Sequence, residues 1–166
     1  MLSYILAILC GIFVLGADVV SKLYIIRNFA LGETAPFIKG LIDIVYIHNR
    51  GAAWGIFGGK TLFLILFTIA IMIFCIVFLV KNAKKSKLMF WAVILIISGG
   101  IGNMYDRIFR EGNVVDFLHF EFWPDFPVFN IADCAVVVGG GLLVLYFVID
   151  IFKDYKLKKQ VNDADI

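Results

Sequence analysis

The sequence is poor in charge: only 17% of its 166 residues are Asp, Glu, Lys or Arg, whereas 62% are hydrophobic. A soluble domain of this length could not bury so many apolar side chains. The net charge is only +2, and no basic stripe is long enough to follow a phosphate backbone, which excludes nucleic acid as a partner. These shortages indicate an integral membrane protein small enough to form one compact bundle.

Thiols and imidazoles are scarce as well. The three cysteines, Cys10, Cys75 and Cys134, lie inside apolar runs, so we expect neither disulfides nor metal ligation from them. The two histidines, His48 and His119, have no partner at the spacing of a metal site. The sequence therefore predicts no metal and no cofactor.

Long apolar runs are what the sequence has in abundance, and a transmembrane helix needs about 20 such residues. Four windows reach that length: 2–26, 61–80, 88–108 and 131–152. The first lacks the basic start and the small-residue cleavage site of a signal peptide, and it carries Asp18 and Lys22, so we interpret it as a retained helix. The prediction is an all-α membrane fold, a four-helix bundle that forms one domain over 1–166.

Lysine density predicts how the bundle is oriented. The loop 81–87 has four lysines in seven residues, and four more occur in the tail 153–166. Because dense basic flanks stay in the cytoplasm, we expect this loop, the tail and both termini to be cytoplasmic. The segments 27–60 and 109–130 then face outward.

The first outward segment has a pattern of its own. Its apolar-rich run Leu41–Ile47 is typical of a strand, and the following 49–51, Asn-Arg-Gly, is typical of a turn. Trp54 and Phe57 are aromatic residues suited to the membrane interface. We expect a small β platform that lies on the outer leaflet.

Ionisable residues are rare inside the spans, and the depth of each can be calculated. At about 1.5 Å of rise per residue, Asp18 and Asp106 lie about 21 Å and about 27 Å from the inner ends of their helices. Asp133 is near the outer start of the last span, and Asp116 is in the outward segment before it. Ionisable groups at membrane depth normally face the bundle interior, so we expect these four acids to meet near the outer boundary of the bilayer.

Helical spacing suggests partners for some of these residues. Asp18 and Lys22 are four residues apart on one face, where they form either a plain buried pair or part of a site. Asn103, Asp106 and Arg107 share a turn of the third span, and we interpret Asp106 and Arg107 as a mutually paired scaffold. Three glycines would let another helix approach this span closely: Gly99, Gly100 and Gly102.

Asp116 and Asp133 differ from the other acids because neither has a local basic partner. An unpartnered acid at a membrane boundary favours a functional role. Asn130 precedes Asp133 by three residues and is suited to cap the last helix. A proton-coupled carrier or one subunit of a channel could also have intramembrane acids. Carriers usually have internal repeats and acids near the midplane, whereas this sequence has no repeat and its acids are predicted at the outer edge. A purely structural membrane subunit would leave the two unpartnered acids unexplained.

Five short motifs occur in order along nearly the whole chain: DVVSK (18–22), NRGAAWG (49–55), GGIGNMYDR (99–107), VVDF (114–117) and FNIAD (129–133). Together they resemble lipoprotein signal peptidase, also called signal peptidase II. The chain follows that family's pattern at every polar motif position.

The resemblance implies an intramembrane aspartic endopeptidase of the bacterial cytoplasmic membrane. It would remove signal peptides from diacylglyceryl-modified prolipoproteins by cleaving before the lipidated cysteine, near the outer leaflet. Motif matching implies that Asp116 and Asp133 are catalytic. The supporting positions implied in the same way are Asp18, Lys22, Asn49, Gly51, Asn103, Asp106, Arg107 and Asn130.

The implied chemistry suits the residues. Two close carboxylates share one proton, so one can act as general base on water while the other donates to the scissile carbonyl oxygen. The resemblance also implies inhibition by the cyclic peptide globomycin in the substrate site. We expect the enzyme to act as a monomer embedded in membrane lipid.

Overall fold

Four long helices dominate the structure, a computed structural model that describes residues 1–164. They are α1 Leu2–Asn28, α2 Thr61–Asn82, α3 Lys87–Phe109 and α4 Ile131–Ala164. Each contains a stretch long and apolar enough to cross a membrane. The predicted four-helix membrane fold is therefore confirmed.

The helix ends differ slightly from the predicted windows. Ser86 caps α3, since its side chain accepts a hydrogen bond from the Met89 backbone N–H at 3.4 Å. The membrane-length part of α4 is Ile131–Lys156, but the helix continues to Ala164. Most of the predicted cytoplasmic tail is thus helical, and residues 165–166 of that tail lie outside the described part of the chain.

A three-stranded antiparallel sheet with the order β1-β2-β3 accompanies the bundle. The strands are β1 Thr34–Ile38, β2 Ile42–Asn49 and β3 Val114–Phe120. The predicted strand corresponds to β2, which continues to Asn49, where the sequence suggested a turn. The other two strands were not predicted, because Pro36 interrupts one and Asp116 lies inside the other. The register pairs Ile47 with Asp116 across β2 and β3.

Buried side chains attach the sheet to the C-terminal end of α1. Ile25 of α1 packs in one cluster with Tyr46 of β2 and with Val115 and Phe117 of β3. Successive side chains of a strand point to opposite faces. Because Val115 and Phe117 pack toward α1, Asp116 between them faces the other side of the sheet.

Glycine makes the contact between α3 and α4 close. A Cβ atom added at Gly99 would overlap the Ala132 carbonyl oxygen and lie 2.8 Å from a methyl carbon of Val136. At the neighbouring Gly100, the nearest atoms to an added Cβ belong to the Met72 side chain, at 3.6 Å. Of these two adjacent glycines, only Gly99 is therefore required by the helix packing.

We expect Gly99→Ala to destabilise the protein by about 1–3 kcal/mol, because an overfilled contact forces the two helices apart. Gly100→Ala is the matched control and is expected to change stability by less than about 0.5 kcal/mol. Thermal unfolding of both variants in detergent measures the difference. Equal midpoints for the two variants would show that the α3–α4 contact tolerates a methyl group.

Candidate active site

Polar side chains from α1, α3, α4, β2 and β3 meet at one end of the bundle. Hydrogen bonds or ion pairs connect all ten predicted site residues there: Asp18, Lys22, Asn49, Gly51, Asn103, Asp106, Arg107, Asp116, Asn130 and Asp133. Arg107 joins the others through Gly51, which in turn contacts Asn49. The predicted site residues therefore converge.

Asp116 lies in the middle of β3 and is only 2% exposed. Its Oδ2 accepts a hydrogen bond from Asn49 Nδ2 at 2.9 Å, and its Oδ1 accepts one from Asn130 Nδ2 at 2.6 Å. Asn49 comes from the adjacent strand and Asn130 from the start of α4. Both carboxyl oxygens are thus held by side-chain amides from two different elements.

Asp133 lies in the first turn of α4. Its Oδ1 accepts from Asn103 Nδ2 of α3 at 2.7 Å, and its Oδ2 accepts from the Asn130 backbone N–H at 3.1 Å. In return, Asn130 Oδ1 accepts from the Asp133 backbone N–H at 2.9 Å. This reciprocal pair is a capping box, so Asn130 caps α4 as predicted. The same contact orients the Asp133 carboxyl group.

The amide orientation of three asparagines follows from donors that cannot act as acceptors. Asn49 Oδ1 accepts from the Gly51 backbone N–H at 2.8 Å, and Asn103 Oδ1 accepts from Lys22 Nζ at 3.1 Å. Asn130 Oδ1 accepts from the first turn of α4. Because backbone N–H and ammonium groups only donate, each amide oxygen must face them. Each NH₂ group is then left to donate toward a carboxylate.

Lys22 lies at the centre of a buried ionic network and is 1% exposed. Its Nζ lies 2.8 Å from Asp18 Oδ2 and 3.0 Å from Asp106 Oδ2. Asp18 Oδ1 also accepts from the Ala132 backbone N–H at 2.9 Å. The network therefore joins α1, α3 and α4 next to Asp116 and Asp133.

The predicted pairing of Asp106 with Arg107 is wrong. Asp106 Oδ1 accepts a hydrogen bond from Arg110 Nε at 2.7 Å, whereas Arg107 Nη2 donates to the Gly51 carbonyl oxygen at 2.9 Å. At 3.6 residues per turn, consecutive side chains point about 100° apart, so the two residues face different neighbours. Arg110 was missed, although its spacing of four from Asp106 was a usable signal.

A cavity of about 570 Å³ opens beside the two acids. Its polar lining consists of Asn49, Asn103, Arg107, Asp116 and Asp133. Its other walls are apolar and come largely from α4 and from the loop before it. Trp54 packs edge-on against Phe126, with the ring centroids 6.0 Å apart, and both rings line the cavity. The cavity thus brings two carboxylates to an otherwise apolar surface.

Burial raises the pKa of the Asp116 carboxyl from its ordinary value of 3.8 to about 7, and negative charge on Asp133 adds to this rise. The Asn49 and Asn130 amides and the charge of Lys22 oppose the rise. A carboxyl group with such a pKa is partly protonated at neutral pH. Burial is the main cause of this raised pKa, and the charge of the neighbouring Asp133 is a secondary cause.

Comparison with known proteins shows the family to which the chain belongs. Residues 10–149 match the family described as signal peptidase (SPase) II. The chain belongs to the signal peptidase II family. The resemblance inferred from the five motifs is thereby confirmed. Membership makes the chain a protease and a multi-pass bacterial membrane protein.

Individual signal peptidase II relatives span nearly the whole chain. A protein of Clostridium acetobutylicum named lipoprotein signal peptidase is 41% identical over 156 residues, which cover 92% of this chain and 99% of that protein. A solved bacterial membrane enzyme, determined by the in meso method at 2.3 Å, is 36% identical with a TM-score of 0.82 and covers 87% of this chain and 88% of its own. A second such structure, at 1.9 Å, is also 36% identical, with a TM-score of 0.77 over 85% of this chain and 91% of its own.

Four other reactive side chains of this signal peptidase II were not among the predicted site residues. Tyr46 and His48 hydrogen bond to each other at 2.8 Å, and His119 lies 3.3 Å from the Pro124 carbonyl oxygen. Cys134 follows Asp133 and lines the cavity, although its apolar sequence context did not suggest this. Among the side chains that the structure describes, no three from His, Cys, Asp or Glu are grouped as a metal site would need.

Proposed function

We propose that this signal peptidase II is an intramembrane aspartic endopeptidase with Asp116 and Asp133 as its catalytic pair. One observation carries the proposal: two carboxyl groups from different elements line the same cavity, and each is held by asparagine amides. The locked amides leave the carboxylates little freedom to rotate. A fixed orientation of reacting groups is what efficient catalysis requires.

The proposed mechanism uses only these two acids and water. One carboxylate removes a proton from water, which attacks the scissile carbonyl carbon, while the other carboxyl group donates its proton to the carbonyl oxygen. The pKa of about 7 at Asp116 supports this division, since one proton is then available to the pair near neutral pH. The pair titrates as a unit, so we assign neither role to one residue. The mechanism needs no metal and no cofactor.

The other predicted residues support the pair in this proposal. Asn49, Asn103 and Asn130 orient the carboxylates, and Gly51 supplies the N–H that fixes Asn49. The ionic network behind them consists of Asp18, Lys22 and Asp106. Arg107 lines the cavity and ties α3 to the segment at Gly51. Its free guanidinium edge is available to a substrate carbonyl group.

We propose prolipoproteins with a diacylglyceryl-modified cysteine as substrates, cleaved on the amino side of that cysteine. The relative named lipoprotein signal peptidase supports this substrate class. The apolar walls of the cavity suit a signal peptide that enters from the membrane. Globomycin, as a cyclic peptide, would occupy the same cavity.

The proposed location follows from charge and from the sheet. Lysines flank the α2–α3 loop, which supports a cytoplasmic position for that loop and for both termini. The sheet and the two acids then lie at the opposite, outer end of the bundle. Trp54 is 65% exposed there, as an interfacial aromatic residue would be. Each chain holds all of the proposed residues, which is consistent with a monomer.

Cleavage is expected to require the lipid on the substrate. A peptide bond at membrane depth must be held inside protein, and acyl chains anchored in the bilayer hold the bond beside the acids. We expect an unmodified precursor to be cleaved more slowly than the modified one by about 10²-fold or more. The measurement compares matched precursors, with and without the diacylglyceryl group, reconstituted in bilayers with purified enzyme. Comparable rates would make the protein a membrane protease without lipid selectivity.

A further inference from the structure

A second, smaller cavity of about 260 Å³ lies between α2, α3 and α4. It meets the larger cavity at three polar residues that line both: Asn103, Arg107 and Asp133. Away from that junction its lining is mainly apolar and includes Phe67, Ile71, Met72, Ile96 and Gly100. The two cavities therefore leave Asp133 in different directions.

The smaller cavity is a slot that runs along the helices. Its α2 lining extends from Leu64 to Met72, eight residues or about 12 Å along the helix axis. Gly100 contributes no side chain to its wall, and an added Cβ there would come within 3.6 Å of Met72. A slot with this direction follows the course of lipid acyl chains in a membrane.

The slot has no suitable partner for a peptide backbone beyond the junction. Apart from the three junction residues, Thr68 is the only polar side chain that lines the slot, and its hydroxyl already donates to the Leu64 carbonyl oxygen at 2.8 Å. A peptide in the slot would leave its N–H and C=O groups unpaired in apolar surroundings, which is strongly unfavourable. A hydrocarbon chain has no such groups.

We infer that the slot binds one acyl chain of the substrate's diacylglyceryl group, while the larger cavity binds the peptide. This inference rests on the proposed function, in which the lipidated cysteine directly follows the scissile bond. The lipid and the signal peptide must then leave the two acids by separate routes. The junction of the two cavities at Asp133 provides those routes.

The slot would act on the rate of cleavage more than on substrate affinity. Lipid tails are as apolar as the slot, so an acyl chain that leaves the bilayer gains little hydrophobic free energy. Binding in the slot instead improves the position of the substrate, because a bound acyl chain holds the adjacent peptide bond beside the two acids. A blocked slot is therefore expected to lower kcat while KM changes little.

Gly100→Leu tests this by filling the slot at its narrow wall. The substrates are two synthetic precursors that differ only in acyl length, one with palmitoyl and one with butyryl chains on the glyceryl cysteine. We expect the variant to lower kcat for the palmitoyl precursor by about tenfold or more, because a blocked chain displaces the bond. The butyryl precursor, whose short chains end near the junction, is expected to retain its wild-type rate within about twofold.

Gly141→Leu is the matched control, since an added Cβ at that exposed glycine meets no atom within 4 Å. It is expected to leave both rates unchanged. If Gly100→Leu does not purify as a folded protein, Thr68→Phe fills the same slot from α2. Each variant's thermal midpoint is measured beside its rates.

The slot assignment fails if Gly100→Leu slows both precursors equally, which would indicate a peptide route or a structural effect. It also fails if neither precursor is slowed. Failure of the underlying function is distinguishable, because the wild-type enzyme would then not cleave the palmitoyl precursor. Only selective loss with the long chains supports an acyl-chain site.

Discussion

Asp116→Asn and Asp133→Asn are each expected to abolish cleavage of a lipidated precursor, with a loss of at least about 10²–10⁴-fold. An amide can neither take a proton from water nor give one to the carbonyl oxygen. Because the two acids act as a unit, removal of either one is expected to cost as much as removal of both. Turnover of purified variants in detergent or bilayers measures the loss.

Asp125→Asn is the matched control for these variants. Asp125 is an exposed acid of the loop before α4, so its replacement is expected to leave turnover unchanged. All three variants are expected to insert and purify normally. Replacing a catalytic carboxyl group with an amide removes only one hydrogen-bond acceptor, a loss of about 1 kcal/mol in stability. Near-normal turnover of Asp116→Asn or Asp133→Asn would refute the catalytic pair.

Stability at different pH values gives Asp116 a second test. Its pKa is raised in the folded protein to about 7, so the folded state holds a proton that the unfolded chain releases near 3.8. The wild-type protein therefore loses stability from this group as pH rises from about 4 to about 7. Asp116→Asn lacks that loss, so its thermal midpoint relative to wild type is expected to rise over this range. A pH-independent difference would contradict the raised pKa.

Lys22→Met is expected to destabilise the protein by about 3–5 kcal/mol, the largest stability effect that we predict. Met resembles Lys in length, but it leaves the Asp18 and Asp106 carboxylates buried without their shared cation. It also removes the donor that fixes Asn103. The expected result is a much lower thermal midpoint in detergent, with a lower yield of folded protein.

Two comparisons make the Lys22 experiment specific. Lys60→Met removes an exposed lysine and is expected to change stability by less than about 0.5 kcal/mol. The double variant Lys22→Met with Asp18→Asn is expected to recover part of the loss, because one unpaired charge is also removed. A Lys22→Met protein as stable as wild type would show that the buried carboxylates need no cation.

The membrane class, the number of helices and the family were all predictable from the order of residues along the chain. Runs of about 20 apolar residues have few alternatives to a membrane helix, whatever they pack against. The convergence of Asp18, Asp106, Asp116 and Asp133 was also predictable, since charged groups inside lipid must turn toward one another. The polar positions of five ordered motifs identified the family because those positions are chemical requirements and do not depend on packing.

The pairing of the polar groups, in contrast, depends on how the helices and strands pack together. Arg107 reaches Gly51, and Asp106 reaches Lys22 and Arg110, because side-chain direction depends on which helices lie beside each face. The strand β3 has an acid at its centre, and its pairing with β2 comes from a segment more than 60 residues away in sequence. The orientation of the three asparagine amides and the junction of two cavities at Asp133 also depend on several elements at once. Such features arise from contacts between distant segments, and spacing along one segment carries no information about them.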